Sequence, residues 1–124
     1  MLEFLVFSIV AALIDSIWII GAYSIHTQMV VSIQKSPLIV SYFPVLLFYI
    51  LASTAYISII KRLAKTKLTI FLYGMLLGLL MYGTFDLTNK AIFTHYPWWY
   101  AIADTLWGSL CMGLSSVVTY SILS

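Results

Sequence analysis

Four apolar stretches, each close to the length a helix needs to cross a bilayer, take up nearly all of this chain, at residues 2–25, 38–60, 68–89 and 98–123. A helix rises 1.5 Å per residue, so about 20 apolar residues cover a ~30 Å hydrocarbon core. What remains is too little polar surface to cover a soluble core. Hydrophobic residues make up 63% and charged residues 8% of the chain, against roughly 45–50% and about 25% in soluble domains. We therefore expect an all-α, multi-pass integral membrane protein, a four-helix transmembrane bundle formed by one domain over residues 1–124. The breaks read as turns and interfaces: His26-Thr27-Gln28, Ser36-Pro37, the basic stretch 61–67, and Thr94-His95-Tyr96-Pro97. Pro37 and Pro97 stand near helix starts, where a missing N–H does no harm. Pro44 lies inside the second stretch and either bends its first turns or marks a later start.

The first stretch has no Lys or Arg ahead of it and runs well past the 7–15 apolar residues of a signal peptide, so it reads as a retained helix. Lys61, Arg62, Lys65 and Lys67 crowd the second break, while Lys35 and Lys90 stand alone in the other two. Basic loops favour the cytoplasm, which places both termini there as well. Tyr96, Trp98, Trp99 and Tyr100 then fall at the outer interface, where aromatic anchoring is the ordinary role. The basic loop is placed to touch anionic lipid headgroups.

Against this background the acids stand out. Three of the four, Asp15, Asp86 and Asp104, fall inside the apolar stretches. A carboxylate facing lipid costs roughly 2.5–3.5 kcal/mol at a helix centre, so such a residue turns toward a bundle interior or a wet cavity. With both termini inside, all three come out in the outer half of the bilayer, on three helices. Their neighbours agree. Ser8, Ala11, Asp15, Trp18 and Ala22 share one helix face, and so do Asp104, Gly108, Cys111, Ser115 and Thr119. Gly74, Gly78, Tyr82, Asp86 and Lys90 recur at intervals of four, and Gly74-x-x-x-Gly78 lets backbones approach.

The cations do not balance these acids. Lys90, four residues after Asp86, offers an ion pair at a helix end. Lys35 sits too far out to reach Asp15. At least one of Asp15 and Asp104 is then protonated, held by neutral donors, or paired with a bound cation. Asp15-Ser16-Ile17-Trp18 and Asp104-Thr105-Leu106-Trp107 also echo each other, a carboxylate and an indole at i and i+3. The indole there shields its carboxylate or donates Nε1–H to a partner. An echo between antiparallel helices hints at the inverted repeats of transporters, and shared packing need explains it equally.

Leu13-Ile14-Asp15-Ser16-Ile17-Trp18, Tyr82-Gly83-Thr84-Phe85-Asp86-Leu87-Thr88-Asn89, and Asp104-Thr105-Leu106-Trp107-Gly108 followed by Gly113-Leu114-Ser115-Ser116 resemble the signatures of small membrane proteins grouped as domain of unknown function 2177. The likeness covers nearly the whole chain, and its most specific part is the Tyr-Gly-Thr-x-Asp-Leu-Thr-Asn string. It implies the same four-helix plan and marks positions; it brings no activity, substrate or cofactor.

Several chemistries fall away. No His-x-x-x-His, Cys-x-x-Cys or Glu-x-x-His spacing offers a metal site, and no cofactor is expected. His26 and His95 read as solvated loop residues. Cys111 reads as an inert buried thiol. The basic stretch is too short for nucleic acid. The candidate binding residues are Asp15, Trp18, Asp86, Asn89, Asp104 and Trp107; no catalytic residue is assigned. The leading function is binding or passage of a proton, a cation or a small polar molecule, with a homo-oligomer and membrane lipids as expected partners. The alternatives are a membrane-embedded lipid-modifying enzyme or its accessory, acting through one Asp and a hydroxyl or water, and a structural or assembly subunit.

Overall fold

The computed structural model describes residues 1–123, and their regular structure is entirely helical. Helix α1 (Leu2–Gly21) meets α2 (Tyr23–Gln34) at Ala22, where φ of −116° and ψ of 28° turn the chain. Helix α3 (Tyr42–Ala55) continues through a π-helical turn (Tyr56–Ile60) into the short α4 (Lys61–Leu63). Helices α5 (Lys67–Ile92) and α6 (Trp98–Leu123) follow. Four helical lengths are long and apolar enough to span a membrane: Leu2–Gly21, Tyr42–Leu63, Lys67–Ile92 and Trp98–Leu123.

Two boundaries differ from the sequence reading. The first helix ends at Gly21 rather than residue 25, yet the expected break at His26-Thr27-Gln28 is helical, inside α2. That segment holds no Gly or Pro, and its backbone stays bonded: the His26 N–H donates to Ala22 O at 3.0 Å, and the Lys35 N–H to Val31 O at 2.9 Å. Helix α2 stops at Lys35, whose φ of 60° is left-handed, just before Ser36-Pro37. The second span starts at Tyr42 rather than residue 38, and Pro44 sits in its first turn. A first-turn N–H has no partner inside the helix, so proline loses nothing there.

Helix pairing is uneven. The seam between α5 and α6 is by far the largest contact; α1 packs on α6 and on α3, while α5 approaches the α3 side by backbone near the π turn and by side chain where Phe48 meets Tyr82 at 6.0 Å. Glycine explains the seam. A Cβ at Gly78 would stand 2.5 Å from Gly108 O, and one at Gly74 2.8 Å from Met112 O. Only hydrogen fits in either place, so these backbones pack in direct contact. A buried cluster of Phe7, Tyr56, Ile60, Ile70 and Met112 fills the end that carries the termini. There Phe7 stacks on Tyr56 at 5.1 Å, Ser8 and Ser53 share a 2.8 Å hydrogen bond, and Lys61 pairs with Glu3.

Candidate functional site

At the opposite end the helices part, and a cavity of about 810 Å³ lies among α1, α2, α3, α5 and α6. Its wall is mostly apolar, with Ile19, Leu38, Phe48 and Met81 in it, but Asp15, His26, Tyr100 and Asp104 face the same space. Val40 on one side and Leu80, Thr84 and Phe85 on the other are exposed, and they form its rim. The mouth therefore lies on the flank of the bundle, where the backbones of α3 and α5 stand apart, and not at its end.

The two wall carboxylates, Asp15 and Asp104, are held in a reciprocal exchange. The Trp18 Nε1–H donates to Asp104 at 2.9 Å, and the Trp107 Nε1–H donates to Asp15 at 3.1 Å. Each indole thus serves the carboxylate of the other helix rather than its own. The two rings stack between them at 6.2 Å, 25° apart. The Ala11 carbonyl meets the Cys111 thiol at 3.9 Å in the same antiparallel register. The Tyr49 hydroxyl adds a longer bond to Asp15, 3.4 Å. Neutral donors therefore hold Asp15 and Asp104. A carboxylate has about four lone-pair sites, so both keep room for a further donor.

Asp86 is fully buried beside this pair. It accepts from the Tyr96 hydroxyl and, at 3.0 Å, from Thr105 Oγ1. Burial, and then the bond to Asp86, raise the Tyr96 pKa above that of an ordinary phenol, so Tyr96 stays a donor. Thr105, which follows Asp104 directly in the chain, thus ties Asp86 to the same stretch of α6.

Four sequence expectations change here. Lys90 makes no ion pair with Asp86; its ammonium lies 5.6 Å from the Trp98 ring centroid. Among the described residues the one ion pair is Lys61–Glu3, so none of the three intramembrane carboxylates has a cation. The aromatic anchor divides: Trp98 and Trp99 are exposed, but Tyr96 and Tyr100 are buried in the site. Asn89 is not in the wall of the carboxylate cavity; it stands by the Tyr96 hydroxyl and lines a second, smaller space. His26 is no solvated loop residue. Its Nδ1 lies 2.6 Å from the Tyr100 hydroxyl, its Nε2 3.3 Å from Trp18 O, and its ring meets Trp18 edge-on. A carbonyl can only accept, so Nε2 carries the hydrogen and, in the neutral ring, Nδ1 accepts from Tyr100. The signal was present: His26 follows Ala22 by four residues, one more step along the Asp15–Trp18–Ala22 face.

No group of three or more metal-ligating side chains occurs among the described residues. The family model of DUF2177, described as a predicted membrane protein, matches residues 1–121, and the chain belongs to that family. It is a multi-pass integral membrane protein. No curated protein and no solved structure matches it.

Proposed function

We propose that this member of the family binds, within the membrane, a small amphipathic molecule with an apolar body and a cationic head. The observation that carries the reading is a cavity of about 810 Å³, walled by apolar side chains and yet lined by Asp15 and Asp104. Ligand cavities commonly run from about 300 to 1,000 Å³ and fix orientation with a few polar groups. Carboxylates out of water are costly without a charge partner, and among the described residues none pairs with these. A cationic head at the open lone pairs of Asp15 and Asp104 would supply it, while the apolar body enters through the gap between α3 and α5. With the basic Lys61–Lys67 end read as cytoplasmic, the proposed site would lie in the outer half of the bilayer.

Thermal unfolding of the detergent-solubilised protein with dodecyltrimethylammonium, dodecanol and dodecyl sulfate tests this. The ammonium probe should stabilise the wild type most, and Asp104→Asn should weaken that effect about tenfold, ~1.4 kcal/mol. Equal stabilisation by all three probes, or no loss in Asp104→Asn, would remove the charge recognition from the reading.

A further inference from the structure

The second cavity, about 370 Å³, lies at the loop end under α2. It is lined by Gln34, Asn89 and Tyr96 together with apolar side chains of α2 and α5. Its character is that of a membrane–water interface: two amides, two phenols, the His26 imidazole and no Asp, Glu, Lys or Arg. The carboxylate cavity adjoins it, and His26, Leu38, Phe85 and Tyr100 border both spaces. The 2.6 Å bond between His26 and Tyr100 crosses this shared wall.

The element carrying His26 is suited to move. Helix α2 is 12 residues long and hinges on the non-helical Ala22. It has no extensive backbone contact with any other helix. What holds it down is Met29 and Ile33 against the Tyr96–Tyr100 cluster, plus His26, which bonds the Tyr100 hydroxyl at 2.6 Å and, at a longer 3.3 Å, Trp18 O. Segments with few buried contacts are the ones that open at low free energy.

We propose that α2 is a hinged lid, that the His26–Tyr100 bond is its latch, and that the small cavity is a hydrated vestibule. Through it an uncharged hydrogen-bonding group or a hydrated cationic head reaches Asp104 from the aqueous side. The lid deepens the reading of an amphiphile site, because a head would then reach water while its apolar body stays in lipid. Its test needs no ligand.

Trp18 is the reporter, since its indole lines the carboxylate cavity and meets His26 edge-on. In vesicles of the full chain carrying Trp98→Phe, Trp99→Phe and Trp107→Phe, Trp18 is the one indole left. Water-borne iodide and brominated phospholipid are used as quenchers in parallel. Tyr100→Phe keeps the ring and removes the hydroxyl, and His26→Ala removes the other partner. Both should raise iodide quenching several-fold and leave lipid quenching unchanged. Gly21→Ala should lower iodide quenching below the parent, because it stiffens the hinge and its added Cβ meets nothing within 4 Å. If both latch variants unfold together at the parental temperature and quench like the parent, there is no latch. If lipid quenching rises instead, the wall opens to the bilayer and the vestibule is wrong. Either result leaves the cationic amphiphile assay standing, and failure of that assay leaves this one interpretable.

Discussion

Helix α5 has two neighbours at the same membrane depth and treats them in opposite ways. Toward α6 it presents Gly74, Gly78 and Gly83, and the two backbones touch. On the α3 side it presents the large side chains Met81 and Tyr82, and above the π turn Tyr82 meets Phe48 ring to ring while the backbones stay apart, leaving a cavity rimmed by Leu80, Thr84 and Phe85. The difference lies in side-chain size on two faces of one helix. Lipid tails are as apolar as leucine, so no hydrophobic force closes a gap between large side chains. Close packing occurs where small residues permit it, and elsewhere the space is left to lipid or ligand. Tyr82 sits at the boundary: its ring lies so close over Gly108 that a Cβ there would be 1.9 Å from it, and the same ring lines the cavity.

The strongest way to break the contrast is to fill the closed side. Gly78→Leu should destabilise the bundle by about 1–3 kcal/mol or more, since the atom in the way is a backbone carbonyl rather than a mobile side chain. Reversible unfolding in mixed micelles would measure this; a loss below 1 kcal/mol would mean the seam is looser than the geometry states. A change of comparable size on the open side should behave differently. Thr84→Leu at the cavity rim should shift stability by no more than ~0.5 kcal/mol, while reducing stabilisation by the ammonium probe.

Between these two sides lies the carboxylate exchange. A double-mutant cycle of Trp18→Phe with Asp104→Asn should give a coupling of about 0.6–1.7 kcal/mol, the range seen for hydrogen bonds between membrane helices. The reciprocal cycle, Trp107→Phe with Asp15→Asn, should give a similar value; a zero in either would end the exchange as a stabilising device. The smallest effect is expected at Thr119, whose buried hydroxyl has no partner. Thr119→Val should be neutral or stabilising by up to ~0.5 kcal/mol, because it removes a donor that nothing uses.

Much of this was legible before any coordinates. Length and hydropathy gave the four spans, because in hydrocarbon a helix is the way a single segment satisfies its own backbone. Glycines at intervals of four pointed to the seam, and Asp-x-x-Trp appeared twice. What sequence spacing could not supply was partnership. Nothing along α1 says that Trp18 serves Asp104 rather than Asp15, since the choice depends on the register of two helices at opposite ends of the chain. His26 was missed for a different reason: the expected break at His26-Thr27-Gln28 put it outside the helix, although its spacing of four from Ala22 continues the Asp15–Trp18–Ala22 face. The gap beside α3 was equally invisible, being set by which backbones stand apart.

The exchange of indoles also bears on how the chain is made. Helix α1 leaves the ribosome before α6, so Asp15 is synthesised some 92 residues before Trp107, its donor. During that interval Asp15 has at most Tyr49 to accept from, and its exposure to lipid carries the insertion cost of a lone carboxylate. The early helix is then incomplete as a polar partner until α6 is made, when Trp107 reaches Asp15 and Asp104 reaches Trp18. A chain truncated before Trp98 should therefore be recognised by membrane quality control as an orphan, even though three of its spans are complete.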